Sequence, residues 1–198
     1  TILYILKLEN IKIIIDFGGI HMSSAAQRAE LQSQIWKIAN EKAKDYPCFL
    51  CAKMRRGILY KKVEEYGYNK LALGHHFDDV IETTLINIFY SGSVKTMTPE
   101  VDSTSGKLKV IRPLIYVEEK DIIKFTANNG ILAMNCGCTV AAGKTSSKRR
   151  ETKELIRELA KSNPNIKKNI LNSTKNVNLE KILGWKIGGK KYGYLDKY

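Results

Sequence analysis

Apolar positions along the chain fall into two kinds of run, consecutive and helically spaced, and these alternate in the order of an α/β protein. Residues 1–8 are apolar and fit helix or strand equally. Ile11 to Ile15 is a clearer strand, ending at Asp16-Phe17-Gly18-Gly19. Ser23 and Ser24 precede a long helical stretch, 25–44, with Leu31, Ile35, Ile38 and Ala39 on one face. Pro47 stops that helix. A second helix is predicted from Ala52 to Tyr66, with Met54, Ile58, Leu59 and Val63 inward and Gly67 just past its end. Leu71 to Leu73 is apolar on consecutive residues, as a strand covered on both faces would be. From Val80 the positions Ile81, Leu85, Ile88 and Phe89 return to helical spacing.

Beyond Tyr90 the pattern loosens. Residues 91–107 carry Gly, Ser, Thr and Pro and read as a loop or weak hairpin, followed by a short strand at Leu108 to Ile111 closed by Arg112-Pro113. Glu118 to Asn128 reads as helix with Ile122, Ile123 and Phe125 apolar. Residues 135–147 form a loop containing Cys and Gly, helix resumes over Ser147 to Leu159, and the remainder is read as short helix and basic tail. The fold class is α/β, a parallel sheet flanked by helices. It divides into an α/β domain over 1–134 and a Cys-containing loop with a basic helical region over 135–198.

The polar residues at one junction change this picture from architecture to chemistry. Gly74-His75-His76-Phe77-Asp78-Asp79 stands between the apolar strand and the following helix. In open α/β sheets ligands bind at the carboxyl ends of strands. One aspartate there would read as a helix cap, but two beside two of the three histidines read as a site. Charge points the same way: 33 Lys and Arg against 20 Asp and Glu give +13. The basic residues bunch at Lys53 to Lys62, Lys144 to Arg150 and Lys186 to Lys191, the last beside Tyr192, Tyr194 and Tyr198. A polyanionic partner, nucleic acid before any other, is expected. No apolar run approaches the roughly 20 residues that span a bilayer, so no membrane partner is expected and a cytoplasmic location is.

Four cysteines form two close pairs, Cys48 with Cys51 and Cys136 with Cys138. Thiols three residues apart at a helix start can share one metal, and the helix N-terminus favours the thiolate. Structural zinc and an iron–sulfur cluster both suit such ligands, and spacing does not separate them. Gly143-Lys144-Thr145 is not a Walker phosphate loop, because Cys138 stands where that motif needs glycine.

Taken together, Cys48-Phe49-Leu50-Cys51, Arg55-Arg56-Gly57-Ile58-Leu59-Tyr60, Leu73-Gly74-His75-His76-Phe77-Asp78-Asp79 and Ile111-Arg112-Pro113-Leu114 resemble the tRNA 2-thiocytidine synthetase family of PP-loop adenylating ATPases. The resemblance runs in order over residues 45–185. The His-His-x-Asp-Asp element alone is shared with lysidine synthetases, and the cysteines with Arg-Arg-Gly point to the thiolating branch.

The resemblance implies ATP-dependent sulfur transfer to a cytidine in the tRNA anticodon loop. ATP would adenylate the ring carbonyl oxygen, Mg2+ would neutralise phosphates, and sulfur would displace AMP. A 4Fe–4S cluster would be held by Cys48, Cys51 and Cys136, with Cys138 a spare thiol. Asp78, Asp79 and Arg55 would be catalytic, and Gly74, His75, His76 and Arg56 would bind nucleotide. Lys148, Arg149 and Arg150, directly after the second cysteine pair, would contact tRNA. A sulfur donor such as a cysteine desulfurase is the expected protein partner, with a homodimer left open. The competing readings are a zinc-bearing RNA-binding remnant of such an enzyme and a lysidine-synthetase-like ligase.

One departure bears on these expectations. The family's Ser-Gly-Gly-x-Asp-Ser phosphate loop is missing, and Phe17-Gly18-Gly19-Ile20-His21-Met22 lacks its aspartate and both serines. The first residue is Thr. The expectation is a sheet incomplete at its amino end, in a chain that is the carboxyl-terminal part of a longer enzyme or has lost the loop.

Overall fold

The computed structural model describes residues 4–8, 11–16, 25–42, 47–103, 106–131 and 148–197. Five strands form one sheet: β1 (Tyr4–Leu8), β2 (Ile11–Asp16), β3 (Lys70–Leu73), β4 (Glu100–Asp102) and β5 (Lys109–Ile111), in the order β1-β2-β3-β5-β4. The parallel sheet expected from sequence is its centre, with Ile14 opposite Leu71 and Leu71 opposite Val110. The two edge strands run antiparallel, so the sheet is mixed. Connection length explains the edges. β1 and β2 are separated by two residues and β4 and β5 by six, too short for a parallel crossover but enough for a hairpin.

Helices cover the sheet. α1 (Ala25–Lys42) and α2 (Pro47–Glu65) precede β3. α2 begins earlier than predicted, because the proline that stops one helix is well suited to the first position of the next. It ends as expected at Gly67, whose φ of 66° lets Tyr68 N–H reach Val63 O at 2.9 Å and Gly67 N–H reach Glu64 O at 3.0 Å. Leu59 and Val63 pack with Leu71, Leu73, Leu108 and Val110. Leu71 and Ala72 are fully buried, as the consecutive apolar run requires. Ile35 and Ala39 of α1 pack on Cys51 of α2, whereas Ile38, predicted inward, is exposed.

α3 (Phe77–Ser91) starts three residues before Val80, so both aspartates belong to its first turn. Phe77, Val80 and Ile81 form a second core with Ile115 and with Ile156, Ile170 and Leu171 of α5 (Lys148–Ser162) and α6 (Ile166–Ser173). Helices from beyond residue 135 thus share a core with the strand-end helix. Ile88 and Phe89, predicted inward, are exposed on the last turn of α3 before Gly92, whose φ is 56°. α4 (Glu119–Asn128) forms where predicted, but buries no residue, and Ile123 and Phe125 face outward.

The tail is the clearest difference from expectation. Gly184–Ile187 (β6) and Lys190–Gly193 (β7) pair as an antiparallel hairpin around Gly188 and Gly189, with φ of 58° and 82°. A two-residue Gly-Gly loop between alternating residues is a hairpin signal, since both turn positions need positive φ. No helix among the described residues is long and apolar enough to cross a membrane.

Candidate active site at the strand ends

The parallel strands β2, β3 and β5 finish on one edge, at Asp16, Leu73 and Ile111. Gly74, His75 and His76 follow β3 there, and Arg112 follows β5. Phe77 N–H donates to Val117 O at 3.0 Å, fastening the start of α3 to the segment after β5. The strand-to-helix junction singled out from sequence therefore gains a second wall, Arg112, that was visible in a motif but was not among the predicted site residues.

Among the described residues, three buried side-chain polar atoms have no hydrogen-bond partner: His75 Nδ1, His76 Nδ1 and Arg112 Nε. All three lie just past the carboxyl ends of β3 and β5. An unmet buried donor or acceptor costs about 1–3 kcal/mol, so three at one edge mark a place for polar atoms from outside the chain. Arg112 is held from its far side, its Nη1 donating to Thr98 O at 2.6 Å. Burial lowers the pKa of its guanidinium; Tyr60 opposes that effect and Arg56 adds to it. Burial also lowers the pKa of His75, with Asp79 opposing and Arg112, Arg149 and His76 reinforcing. His75 is therefore favoured as neutral imidazole, able to donate from one nitrogen and accept at the other.

The two aspartates have separate jobs. Asp78 is buried, and its Oδ1 accepts from Lys167 Nζ of α6 at 2.6 Å while Oδ2 accepts from Glu119 N–H at 2.8 Å. It satisfies an open N–H at the start of α4 and binds α6 to α3. Burial pushes its carboxyl up, but the Glu119 N–H and the Lys167 ammonium together hold it below the ordinary aspartate range. Asp79 remains partly open. Its Oδ2 accepts from His76 N–H at 3.1 Å and lies 3.4 Å from His76 Nε2, and its Oδ1 accepts from Arg149 Nη1 at 3.0 Å. The expected capping role is thus present at Asp79 together with a solvent-reachable edge.

Arg149, expected as an RNA contact, also braces the strand-end helix. Its Nη1 also donates to Glu82 Oε2 at 2.7 Å, and Nη2 lies 3.4 Å from Thr83 Oγ1, so the guanidinium is turned onto α3. Lys148 stands over the Tyr90 ring, 4.4 Å from its centroid, and Arg150 is exposed. Sequence reading missed the carboxylates and amines that make this junction rigid. Glu82 is buried one turn after Asp78, and Lys153 of α5 donates to Glu119 at 2.6 and 2.8 Å. The i, i+4 spacing of Asp78 and Glu82 on an otherwise apolar helix face was the available signal.

On α2, Arg55 is half-buried and Arg56 exposed. Cys48 and Cys51 sit one to two turns nearer the helix start, Cys51 about 7.5 Å before Arg56 at the helical rise. Because α2 runs into the amino end of β3, its own start lies toward the strand carboxyl ends. Cys48 is exposed and Cys51 buried against Ile35 and Ala39. Cys136 and Cys138 lie outside the described residues, and so does Gly18-Gly19. Among the described residues, no three His, Cys, Asp or Glu side chains come together to hold a metal ion.

Residues 19–134 match the model of the PP-loop domain family. The tRNA-cytidine(32) 2-sulfurtransferase of Geobacter metallireducens is 43% identical over 136 residues, covering 69% of this chain and 52% of that protein. Its counterpart from Geotalea uraniireducens is 44% identical over 140 residues, 71% of this chain and 55% of that protein. The chain spans about half the length of the curated relatives it matches. Among solved structures, the U34-tRNA thiolase NcsA from Methanococcus maripaludis with its 4Fe–4S cluster superposes with a TM-score of 0.53 at 21% identity, covering 82% of this chain and 59% of that one. That likeness is one of fold, an α/β sheet with helices on its faces.

Proposed function

This chain belongs to the PP-loop domain family, and from that premise we propose that it serves ATP-dependent transfer of sulfur to a cytidine of tRNA. The observation that carries the reading is the set of three unmet nitrogens, His75 Nδ1, His76 Nδ1 and Arg112 Nε, at the carboxyl edge of the parallel strands. They suit the phosphate and carbonyl oxygens of a nucleotide and its acceptor. Sulfurtransferase relatives at 43–46% identity support the choice of substrate class.

In this reading Arg112 and His75 bind nucleotide oxygens, with Arg56 close enough to perturb Arg112 and add positive charge. The cytidine carbonyl oxygen attacks the α-phosphorus of ATP, pyrophosphate leaves, and sulfur then displaces AMP. Developing negative charge is met by guanidinium groups already fixed in place, which spares reorganisation during the step. Asp79 is the carboxylate with an edge open to solvent for Mg2+ or a proton, oriented by Arg149 and His76. Asp78 acts through the fold, holding α4 and α6 against the start of α3.

Cys48 and Cys51 fit a thiolate-held cluster as far as two ligands go: they stand at i, i+3 within the first five residues of α2, one exposed and one buried. Cys136 is the proposed third ligand. Held by these thiolates, a 4Fe–4S cluster would supply the chemistry of carrying sulfur to the activated cytidine. A sulfur donor of the cysteine-desulfurase class would deliver that sulfur.

Arg112→Lys tests the nucleotide site, since it keeps the charge and removes the Nε–H and the planar fork. ATP affinity by calorimetry is expected to fall at least tenfold with an unchanged melting temperature. A variant that binds ATP as the parent does removes Arg112 from the site.

A further inference from the structure

The last basic cluster of the sequence is taken up neither by the strand-end site nor by the helical core. It folds as the ribbon β6–β7, whose neighbour in the fold is the short turn Tyr194–Lys197, with Tyr194 N–H donating to Leu183 O at 2.8 Å. The register fixes two faces. Trp185 opposes Tyr192 and Ile187 opposes Lys190 on one face; Lys186 opposes Lys191 and Gly184 opposes Gly193 on the other. On the first face the two rings stack, centroids 5.6 Å apart and planes within 10°, and Lys190 Nζ lies 5.4 Å from the Tyr192 centroid.

The second face is unusual. Two ammonium groups stand directly opposite each other, a placement that destabilises a strand pair. No carboxylate occurs between Lys181 and Leu195 to offset them. The glycine pair beside them is a packing requirement, since a Cβ on Gly184 would meet Tyr192 O at 2.7 Å and one on Gly193 would meet Asp196 Oδ2 at 3.3 Å. Asp196 closes the far end, its carboxylate accepting the Gly193 N–H. A two-stranded ribbon by itself is marginal, and here the aromatic stack supports one face while the other carries two lysines against the single Asp196 carboxylate at its end.

We propose that this hairpin is an RNA-docking ribbon, with Lys186 and Lys191 gripping the phosphate backbone of tRNA and the Trp185–Tyr192 stack holding the ribbon rigid. The proposal rests on tRNA being the substrate and adds a contact surface remote in sequence from the strand-end residues. Contact is to phosphates, which two lysines on a bare ribbon reach without reading bases.

The test uses the full chain, an unmodified tRNA transcript and a salt titration. Lys186→Ala with Lys191→Ala is expected to weaken tRNA binding about tenfold and to flatten the slope of log affinity against log salt by about 1.4–1.8, two phosphate contacts' worth. Lys37→Ala with Lys42→Ala, exposed lysines of α1, removes the same net charge and is expected to change affinity less than twofold. Removing opposed charges relieves the free ribbon, so the near-ultraviolet dichroism of the ring stack should persist in the hairpin variant. Equal losses in both double variants, or none in the hairpin variant, overturn the proposal while leaving tRNA as substrate. Lost adsorption to anionic vesicles or lost self-association, with tRNA binding intact, also overturns it, in favour of a lipid surface or a second copy. A parent chain that does not bind tRNA overturns both the ribbon and the substrate reading.

Discussion

Arg149→Ala is expected to melt roughly 4–8 °C below the parent at neutral pH, from a loss of about 2 kcal/mol. Truncating one member of a buried ion pair costs more than that, but the Arg149 side chain is 45% exposed against 6% for Glu82, and solvent tempers the effect. What remains behind is the cause: a buried Glu82 whose Nη1 partner is gone, and an Asp79 without its orienting cation. The start of α5, which follows directly on residues 132–147, also loses its tie to the strand-end helix.

The deficit has a pH signature. Burial pushes the Glu82 carboxyl up, Arg149 opposes this, and Asp79 adds to it. Without Arg149 the carboxyl rises further. A carboxyl raised in the folded state binds its proton more tightly folded than unfolded, so stability falls as pH rises through the interval between the two values. The deficit should therefore be full at neutral pH and shrink as pH falls into the ordinary glutamate range. Asp78 runs the other way: its pKa is lowered, so its contribution is present above the ordinary aspartate range and lost as pH falls through the lowered value. Melting temperatures of Arg149→Ala and parent, compared from about pH 4.5 to about pH 7.5, check this, those limits running from the ordinary glutamate value to well above it. A deficit independent of pH would show that Glu82 is not the group Arg149 neutralises.

Cys48→Ala and Cys51→Ala should each abolish cluster iron and with it ATP-dependent thiolation, while leaving the fold. Cys48 is exposed, so its thiol contributes nothing to the core. Cys51 is packed against Ile35 and Ala39, and losing one sulfur atom there should cost about 1 kcal/mol. Iron content after anaerobic reconstitution, read beside the melting temperature, separates ligand loss from unfolding. Variants that keep four irons per chain remove these thiols from the cluster. Tightly held zinc without iron in the parent would favour the structural-metal reading.

The strand-end site was legible because its signals are local: a consecutive apolar run for β3, then histidines and aspartates at the turn, then helical spacing. Gly67 was legible for the same reason, since a helix C-terminus in this form needs a residue at positive φ. What was not legible depends on distance. Arg149 lies 70 residues from Asp79 and Lys167 lies 89 from Asp78. A basic residue that meets a distant buried carboxylate carries no local sign of that partner. Ile38, Ile88, Phe89, Ile123 and Phe125 fit helical periodicity, yet periodicity names a face and not whether another element covers it. The hairpin at Gly188-Gly189 carries its signal in turn chemistry, while its run of lysines resembles that of an unstructured basic tail.

The most direct measurement is 2-thiocytidine in tRNA, by mass spectrometry of nucleosides after anaerobic incubation of the reconstituted chain with tRNA, ATP, Mg2+ and sulfide. The account predicts thiolated cytidine that requires ATP and that falls by at least two orders of magnitude with Asp79→Asn. Iron-loaded, tRNA-binding protein that leaves every cytidine unthiolated, with ATP present, would contradict it.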